Sequence, residues 1–289
     1  GVVAAPKAVY SALALASTGL AACARSSAST SSNVDPKTGC AVPTDHQSVT
    51  AKKLSSAPND YELTSFDGTS IRVHYFPLSQ HVGHPVTAPT VLMGPGWGEA
   101  GSTDTSSTGI FGSLSIGTLW AAGYNVVTWD PRGFGMSKGT IEIDSADIEG
   151  RDTSALISWV SQQHGVELDS AGDPRMGMVG ASYGGGIQLV TAAQDCRIDA
   201  IAPTIAWNSL ETSLAKNHSP KTGWSDILMA ASSGRKLDPK ITTAYKESQQ
   251  SGTASKESEA FFASRGPGDA VSKIAVPTLI LQGSVDDLF

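Results

Sequence analysis

The stretch from Arg175 to Gly186, R-M-G-M-V-G-A-S-Y-G-G-G, carries a serine whose neighbours suit a nucleophile. Met176, Met178 and Val179 read as a short buried strand, Gly180-Ala181-Ser182-Tyr183-Gly184 as a sharp turn, and Ile187, Leu189 and Val190 as the start of an apolar helix. In a nucleophile elbow the serine sits at the tip of such a turn in a strained backbone, and only small residues fit two positions before and after it. Gly180 and Gly184 meet that requirement, which makes Ser182 the candidate nucleophile. A glycine-rich strand-to-helix turn also serves plain close packing in any α/β protein, so the rest of the chain must decide.

Acyl transfer from a serine needs oxyanion donors, a base, and an acid that orients the base. The backbone N–H of Tyr183, the residue after the nucleophile, is one expected donor. The loop Gly94-Pro95-Gly96-Trp97-Gly98 follows the apolar run Pro89–Met93 and offers the Trp97 N–H as the second; the alternative is a tight turn whose Trp97 only packs. For the acid, the apolar run Pro277–Leu281 leads into Gln282-Gly283-Ser284-Val285-Asp286-Asp287, which favours Asp286, with Asp287 in reserve. His46, His74, His81, His84, His164 and His218 all precede Asp286, whereas an elbow of this kind puts the catalytic histidine after the acid. His74 and His218 therefore read as structural or solvated, the base is expected beyond Phe289, and the chain as written is expected to be a nearly inactive fragment.

The elements that must position these residues are legible as alternating strands and helices. Tyr61, Leu63, Ile71, Val73 and Tyr75 alternate with polar residues around Asp67-Gly68, predicting an antiparallel hairpin. Strands are predicted at Pro89–Met93, Tyr124–Trp129, Met176–Val179, Ile201–Ile205 and Pro277–Leu281, and helices at Ser113–Ala122, Ile148–Gln163 and after the elbow. This rhythm predicts a doubly wound, mostly parallel sheet with the chemistry at the carboxyl ends of its strands. Between Asn208 and Arg265 the rhythm breaks into a predicted helical cap insertion, with Trp224, Ile227, Leu228, Met229, Phe261 and Phe262 packing it or lining a pocket. Arg132 is expected to pair with Glu149 or Asp152 and hold its loop.

The net charge of −7 over 289 residues, with no basic run, argues against nucleic acid and against polybasic adhesion to anionic lipid. Residues 1–22 have the layout of an export signal, one lysine and a short apolar run. Leu20-Ala21-Ala22-Cys23 resembles the lipobox of bacterial lipoproteins, which implies a lipid anchor on Cys23; the alternatives are an ordinary cleavable signal or an Ala-rich helix. Residues 23–59 begin as a Ser-rich tether, and residues 60–289 form the domain. Export permits a disulfide, and with Cys23 acylated, Cys40 and Cys196 are an even remainder that pairs or stays as two free thiols.

The elbow, the segment Asp130-Pro131-Arg132-Gly133-Phe134-Gly135-Met136-Ser137-Lys138-Gly139, Trp159, and Pro277–Phe289 resemble the α/β-hydrolases of the Xaa-Pro dipeptidyl-peptidase and cocaine-esterase type, over about residues 60–289. The resemblance implies an α/β-hydrolase fold and a serine hydrolase acting on esters or on peptides with proline second, without metal or organic cofactor. Two features depart from the family: Trp97 stands in the loop where some members supply a tyrosine, and the C-terminal jelly-roll domain of the larger members is absent. The expected protein is an exported hydrolase, lipid-anchored to the outer face of the bacterial membrane, taking a small ester or peptide. A dipeptidase would need carboxylates for the substrate amine, for which Glu211 and Asp226 are candidates. The competing expectation is a surface lipoprotein that keeps the fold to bind a ligand or partner without turnover.

Overall fold

The computed structural model describes residues 49–55, 57–106 and 114–289. Cys23, Cys40, His46, the export signal and the Ser-rich tether lie outside these residues.

Three antiparallel strands open the sheet: β1 (Ala51–Lys53), β2 (Asp60–Thr64) and β3 (Ser70–Phe76). Leu63 pairs with Ile71 and Tyr61 with Val73 in the antiparallel hairpin expected around Asp67-Gly68. β1 lies ahead of the boundary at residue 60 and was not anticipated, because Ala51-Lys52-Lys53 carries no apolar alternation. After a short helix α1 (Leu78–Val82), β4 (Thr90–Gly94), helix α2 (Ile116–Ala121) and β5 (Asn125–Trp129) follow. Ser115 caps α2 by accepting the Thr118 N–H, while Thr118 Oγ1 accepts the Ser115 N–H, a reciprocal box that fixes the helix start.

Helix α3 (Glu149–Val160), a two-stranded ribbon β6 (Leu168–Ser170) and β7 (Asp173–Pro174), and the elbow strand β8 (Met176–Ala181) come next. Helix α4 (Tyr183–Gln194) and β9 (Ala200–Thr204) complete the main sheet. Its order is β1-β2-β3-β5-β4-β8-β9, with β4, β5, β8 and β9 parallel. Every residue of β4, β5 and β8 is buried, as expected of parallel strands covered on both faces. One face packs Leu92, Val127 and Met178 under Leu156 and Trp159 of α3; the other packs Val91, Val126 and Val179 under Ile116 and Leu119 of α2.

The expected strand at Pro277–Leu281 is a correction. It lies parallel to β9 but forms only two separate bridges, Ile201–Thr278 and Thr204–Leu281. The Ile201 and Ile205 amides donate to Pro277 and Leu281, and the Leu279 and Leu281 amides donate to Ile201 and Pro203. The missing bond falls at Pro203, which has no N–H to give, so the ladder is interrupted at its middle.

The cap is helical as expected: α5 (Leu210–Leu214), a 3-10 turn at Lys216–His218, α6 (Thr222–Ala231), α7 (Pro239–Ser251) and α8 (Lys256–Ala263). Asp238 and Ser255 cap α7 and α8 by accepting the amides of Lys240 and Ser258. Beneath the cap, Ile241 and Phe261 join Phe134, Ile141, Tyr183 and Trp207 in a third apolar cluster, which seats it over the elbow.

Candidate active site

Gly180, Gly184 and Gly94 make the elbow sterically feasible. A methyl on Gly184 would stand 2.3 Å from the Gly94 carbonyl oxygen, and one on Gly180 would stand 2.7 Å from that same oxygen. The strand β4, the strand β8 and the start of α4 thus meet backbone to backbone. Ser182 sits at the tip with φ 56° and ψ −118°, a conformation that costs a non-glycine residue on the order of 1–3 kcal/mol. Its amide donates to the Thr204 carbonyl at 2.9 Å, and its carbonyl accepts the Gly185 and Gly186 amides, so the strained turn is tied to β9 and to α4. The fully buried Gln188 adds a second tie: its side-chain amide donates to the Gly180 and Gly184 carbonyls, and its oxygen accepts the Ala202 amide.

Ser182 opens into a pocket between elbow and cap, with about 90 Å³ of space for the centre of a water molecule. Trp97 and Tyr183 flank it there, and their rings stand edge to face at 5.3 Å. Phe134 closes the triangle, 5.1 Å from Trp97 and 5.5 Å from Tyr183. Among the described residues neither the Trp97 nor the Tyr183 backbone amide donates to a protein acceptor. The Trp97 indole N–H reaches across to the Leu228 carbonyl of α6 at 2.8 Å, so Trp97 also packs against the cap.

Behind the elbow lies a second, small cavity with room for roughly one water molecule, lined by Arg132, Asp144, Glu149, Asp152 and Tyr183. Arg132 reaches Asp152 through Nε at 2.8 Å and Nη2 at 2.7 Å, and Asp67 through Nη1 at 2.7 Å. Asp152, one of the two expected partners, is thus the one observed, and Ser65 also donates to it. Glu149 turns the other way and accepts the amides of Glu142 and Ser145 at 2.7 and 2.9 Å. Burial pushes the Glu149 carboxyl up to about 8. Between those two amides Ile143 and Asp144 adopt φ 58° and 48°, left-handed values for residues that are not glycine. Asp144 is fully buried and among the described residues neither carboxyl oxygen has a hydrogen-bond partner; burial, then the nearby Glu149 charge, raises its pKa well above the ordinary range. Its amide donates to the Tyr183 hydroxyl at 3.3 Å.

No described histidine lines the pocket of Ser182, and the rings of four are engaged elsewhere. His74 lies between Asp60 at 2.8 Å and Asp130 at 3.3 Å; burial opposes its protonation, but hydrogen bonds and the charges of both carboxylates outweigh that and raise its pKa. Asp130 in turn accepts the Gly101 and Met136 amides, so His74 is a clasp between β3 and the Asp130–Gly139 loop. His81 stacks on Trp120, His84 bonds to the Pro85 carbonyl, the His164 carbonyl accepts the Tyr75 hydroxyl, and His218 meets Glu259. Asp286 is half-buried in the turn after Leu281, where it accepts the Leu288 and Phe289 amides at 3.0 Å and the Gln282 side-chain amide at 2.6 Å. Phe289 lies 4.8 Å from the Trp207 ring and lines the pocket of Ser182.

The family model for X-Pro dipeptidyl-peptidases (S15 family) matches residues 67–289, well over half of the chain. The chain belongs to the X-Pro dipeptidyl-peptidase (S15) family. A curated relative, an uncharacterised 31.7 kDa protein of the traX-finO intergenic region of Escherichia coli, is 33% identical over 86 residues, 30% of this chain and 28% of that protein. The chain thus matches under a third of that relative's length. A CocE/NonD family hydrolase from Staphylococcus aureus superposes with a TM-score of 0.55 at 20% identity, over 76% of this chain and 39% of that one. Acetyl xylan esterase 1 from Thermoanaerobacterium sp. JW/SL YS485 gives 0.50 at 17%, over 82% and 81%, and DcsB, solved with a substrate analogue, 0.52 at 16%, over 83% and 82%. These likenesses show the α/β-hydrolase fold.

In this S15 member sequence reasoning missed three contributors to the site: Gln188, Asp144 and the amide-capping role of Glu149. Gln188 leaves a signal, a lone long polar side chain inside the apolar run Ile187–Val190. Asp144 leaves none, because nothing in Ile143-Asp144 announces two consecutive positive φ values. Cys196 is disulfide-bonded, with its partner outside the described residues. Among the described residues no group of three or more His, Cys, Asp or Glu is arranged to hold a metal ion, and no helix is long and apolar enough to cross a membrane.

Proposed function

We propose that this protein is a serine hydrolase that cleaves ester or peptide bonds through an acyl-enzyme on Ser182. The observation that carries the reading is Ser182 itself, held at φ 56° on a glycine-locked elbow and opening into the pocket beneath the cap. Stored strain at an exposed nucleophile is a hallmark of a preorganised site. Ser182 Oγ attacks the carbonyl carbon and passes its proton to a histidine. The Tyr183 and Trp97 amides, which have no other described acceptor, stabilise the oxyanion. The histidine then protonates the leaving group, and water resolves the acyl-enzyme by the same route. Asp286 orients that histidine, which chain order places after it.

A fluorophosphonate probe on the full-length protein tests this reading. Labelling confined to Ser182 and abolished in Ser182→Ala is expected; absence of labelling would favour binding without turnover. That second reading draws on one observation, that the rings of His74, His81, His84 and His218 are engaged elsewhere and no described histidine lines the pocket of Ser182. Export and lipid attachment at Cys23 belong to the same proposal, supported by the lipobox-like tetrapeptide and by the disulfide at Cys196, which suits an oxidising compartment. Loss of membrane-fraction recovery in Cys23→Ala is the expected result.

A further inference from the structure

We propose that the pocket under the cap selects uncharged, apolar esters and rejects peptides that present a free α-amine; this rests on the hydrolase reading and narrows it. The wall is built from Trp97, Trp207, Leu214, Met229, Ile241 and Phe262, with other aliphatic and aromatic side chains beside them. Among the described residues that line it, none is acidic or basic. Three of its hydroxyls turn their protons to the protein, Ser225 to the Lys221 carbonyl, Ser248 to the Tyr245 carbonyl, and Tyr245 to Asp226, and what they hold out to an ammonium is a neutral oxygen without a countercharge. Trp207 Nε1 has no partner among the described residues, but it is a donor and offers an ammonium nothing.

A dipeptide substrate binds through its charged amine, and moving an ammonium into such a wall forfeits hydration without a carboxylate to replace it. The acidic residues considered for that grip do not line the wall. Asp226 turns outward and its Oδ1 accepts the Tyr245 hydroxyl and the Gln249 amide, both at 2.8 Å. Glu211 lies on α5 outside the lining. What the wall rewards is apolar area, with Ser182 at its edge to meet a carbonyl.

The test uses the full-length protein. Two p-nitrophenyl-type ester series, one lengthening the acyl arm and one the alcohol arm, are compared with alanyl-prolyl-p-nitroanilide. At least a tenfold rise in kcat/KM with the length of one arm, and at least a hundredfold preference for the best ester over the alanyl-prolyl substrate, are expected. Fluorophosphonate labelling at Ser182 together with a preference for the alanyl-prolyl substrate would overturn the substrate assignment and leave the hydrolase standing. Absence of labelling would overturn the hydrolase, and the pocket is then read by quenching of Trp97 and Trp207 fluorescence. Saturable quenching by 2-octanone but not by alanyl-proline supports the apolar assignment, and the reverse refutes it. Ser225→Asp, at a half-exposed wall position on α6, is expected to raise KM for the preferred ester at least tenfold while kcat stays within threefold; an unchanged KM in the folded variant would refute a role for the wall.

Discussion

Ser182 and the glycines beside it make opposite demands on the fold. The serine holds a backbone conformation that its tethers to Thr204, Gly185 and Gly186 sustain, with Gln188 bracing Gly180 and Gly184 on either side. Ser182→Gly is expected to raise the unfolding free energy by about 1 kcal/mol in urea titration, since glycine accepts the same angles with little strain. Gly184→Ala is expected to lower it by about 1–3 kcal/mol or more, because its methyl collides with backbone that has no rotamer to yield. Glu149 gives a residue-level pH effect. Its carboxyl titrates near 4.5 when solvated and at about 8 in the fold, so its contribution to stability is complete below the lower value and is lost as pH rises through the upper one. Glu149→Gln, followed by thermal unfolding from pH 4 to 9, should flatten that decline. It should also cost about 1 kcal/mol at low pH, because its amide nitrogen cannot accept the second of the two backbone bonds.

At the scale of elements, the junction of α3 and α4 rests on a buried ion pair. Arg197 is 1% exposed, meets Asp195 at 2.7 Å, and donates to the Ser154 carbonyl and Ser158 Oγ of α3. Arg197→Ala strands the Asp195 charge and is expected to cost about 3–5 kcal/mol by urea denaturation. Continuous apolar runs made β4, β5 and β8 legible, and alternation made the β2–β3 hairpin so. The elbow was readable because its steric demand falls on residue types, Gly180 and Gly184. The broken ladder at residues 277–281 was not foreseen, although Pro203 was in plain sight, because its missing donor matters only once the neighbouring strand is known. The loop at Ile143 and Asp144 was unreadable for a deeper reason: its conformation is imposed by Glu149 and Tyr183 from outside the segment. Cap helices were foreseen as a block, whereas their chargeless inner wall emerged only from packing.

For the whole molecule, the disulfide at Cys196 ties the end of the elbow helix to a partner beyond the described residues. The cysteine count makes Cys40 the expected partner if Cys23 is acylated, so a non-reducing peptide map should recover a Cys40–Cys196 linked pair that disappears on reduction. The cap is joined to the rest of the domain through several polar contacts, among them Arg265 on Glu142, the backbone bonds of Ile141 with Lys236 and Asp238, and the Trp97 indole on Leu228. That last bond runs between the helix that roofs the pocket and the Gly94–Gly98 loop beside Ser182. A bulky substrate that raises α6 is expected to pull on that loop, and an undersized one to leave it slack. Trp97→Phe, which keeps a ring but cuts the bond, should narrow the spread of kcat between short and long esters. The height of the roof and the set of the Gly94–Gly98 loop are thereby expected to vary together, so that what fits above also tunes what reacts below.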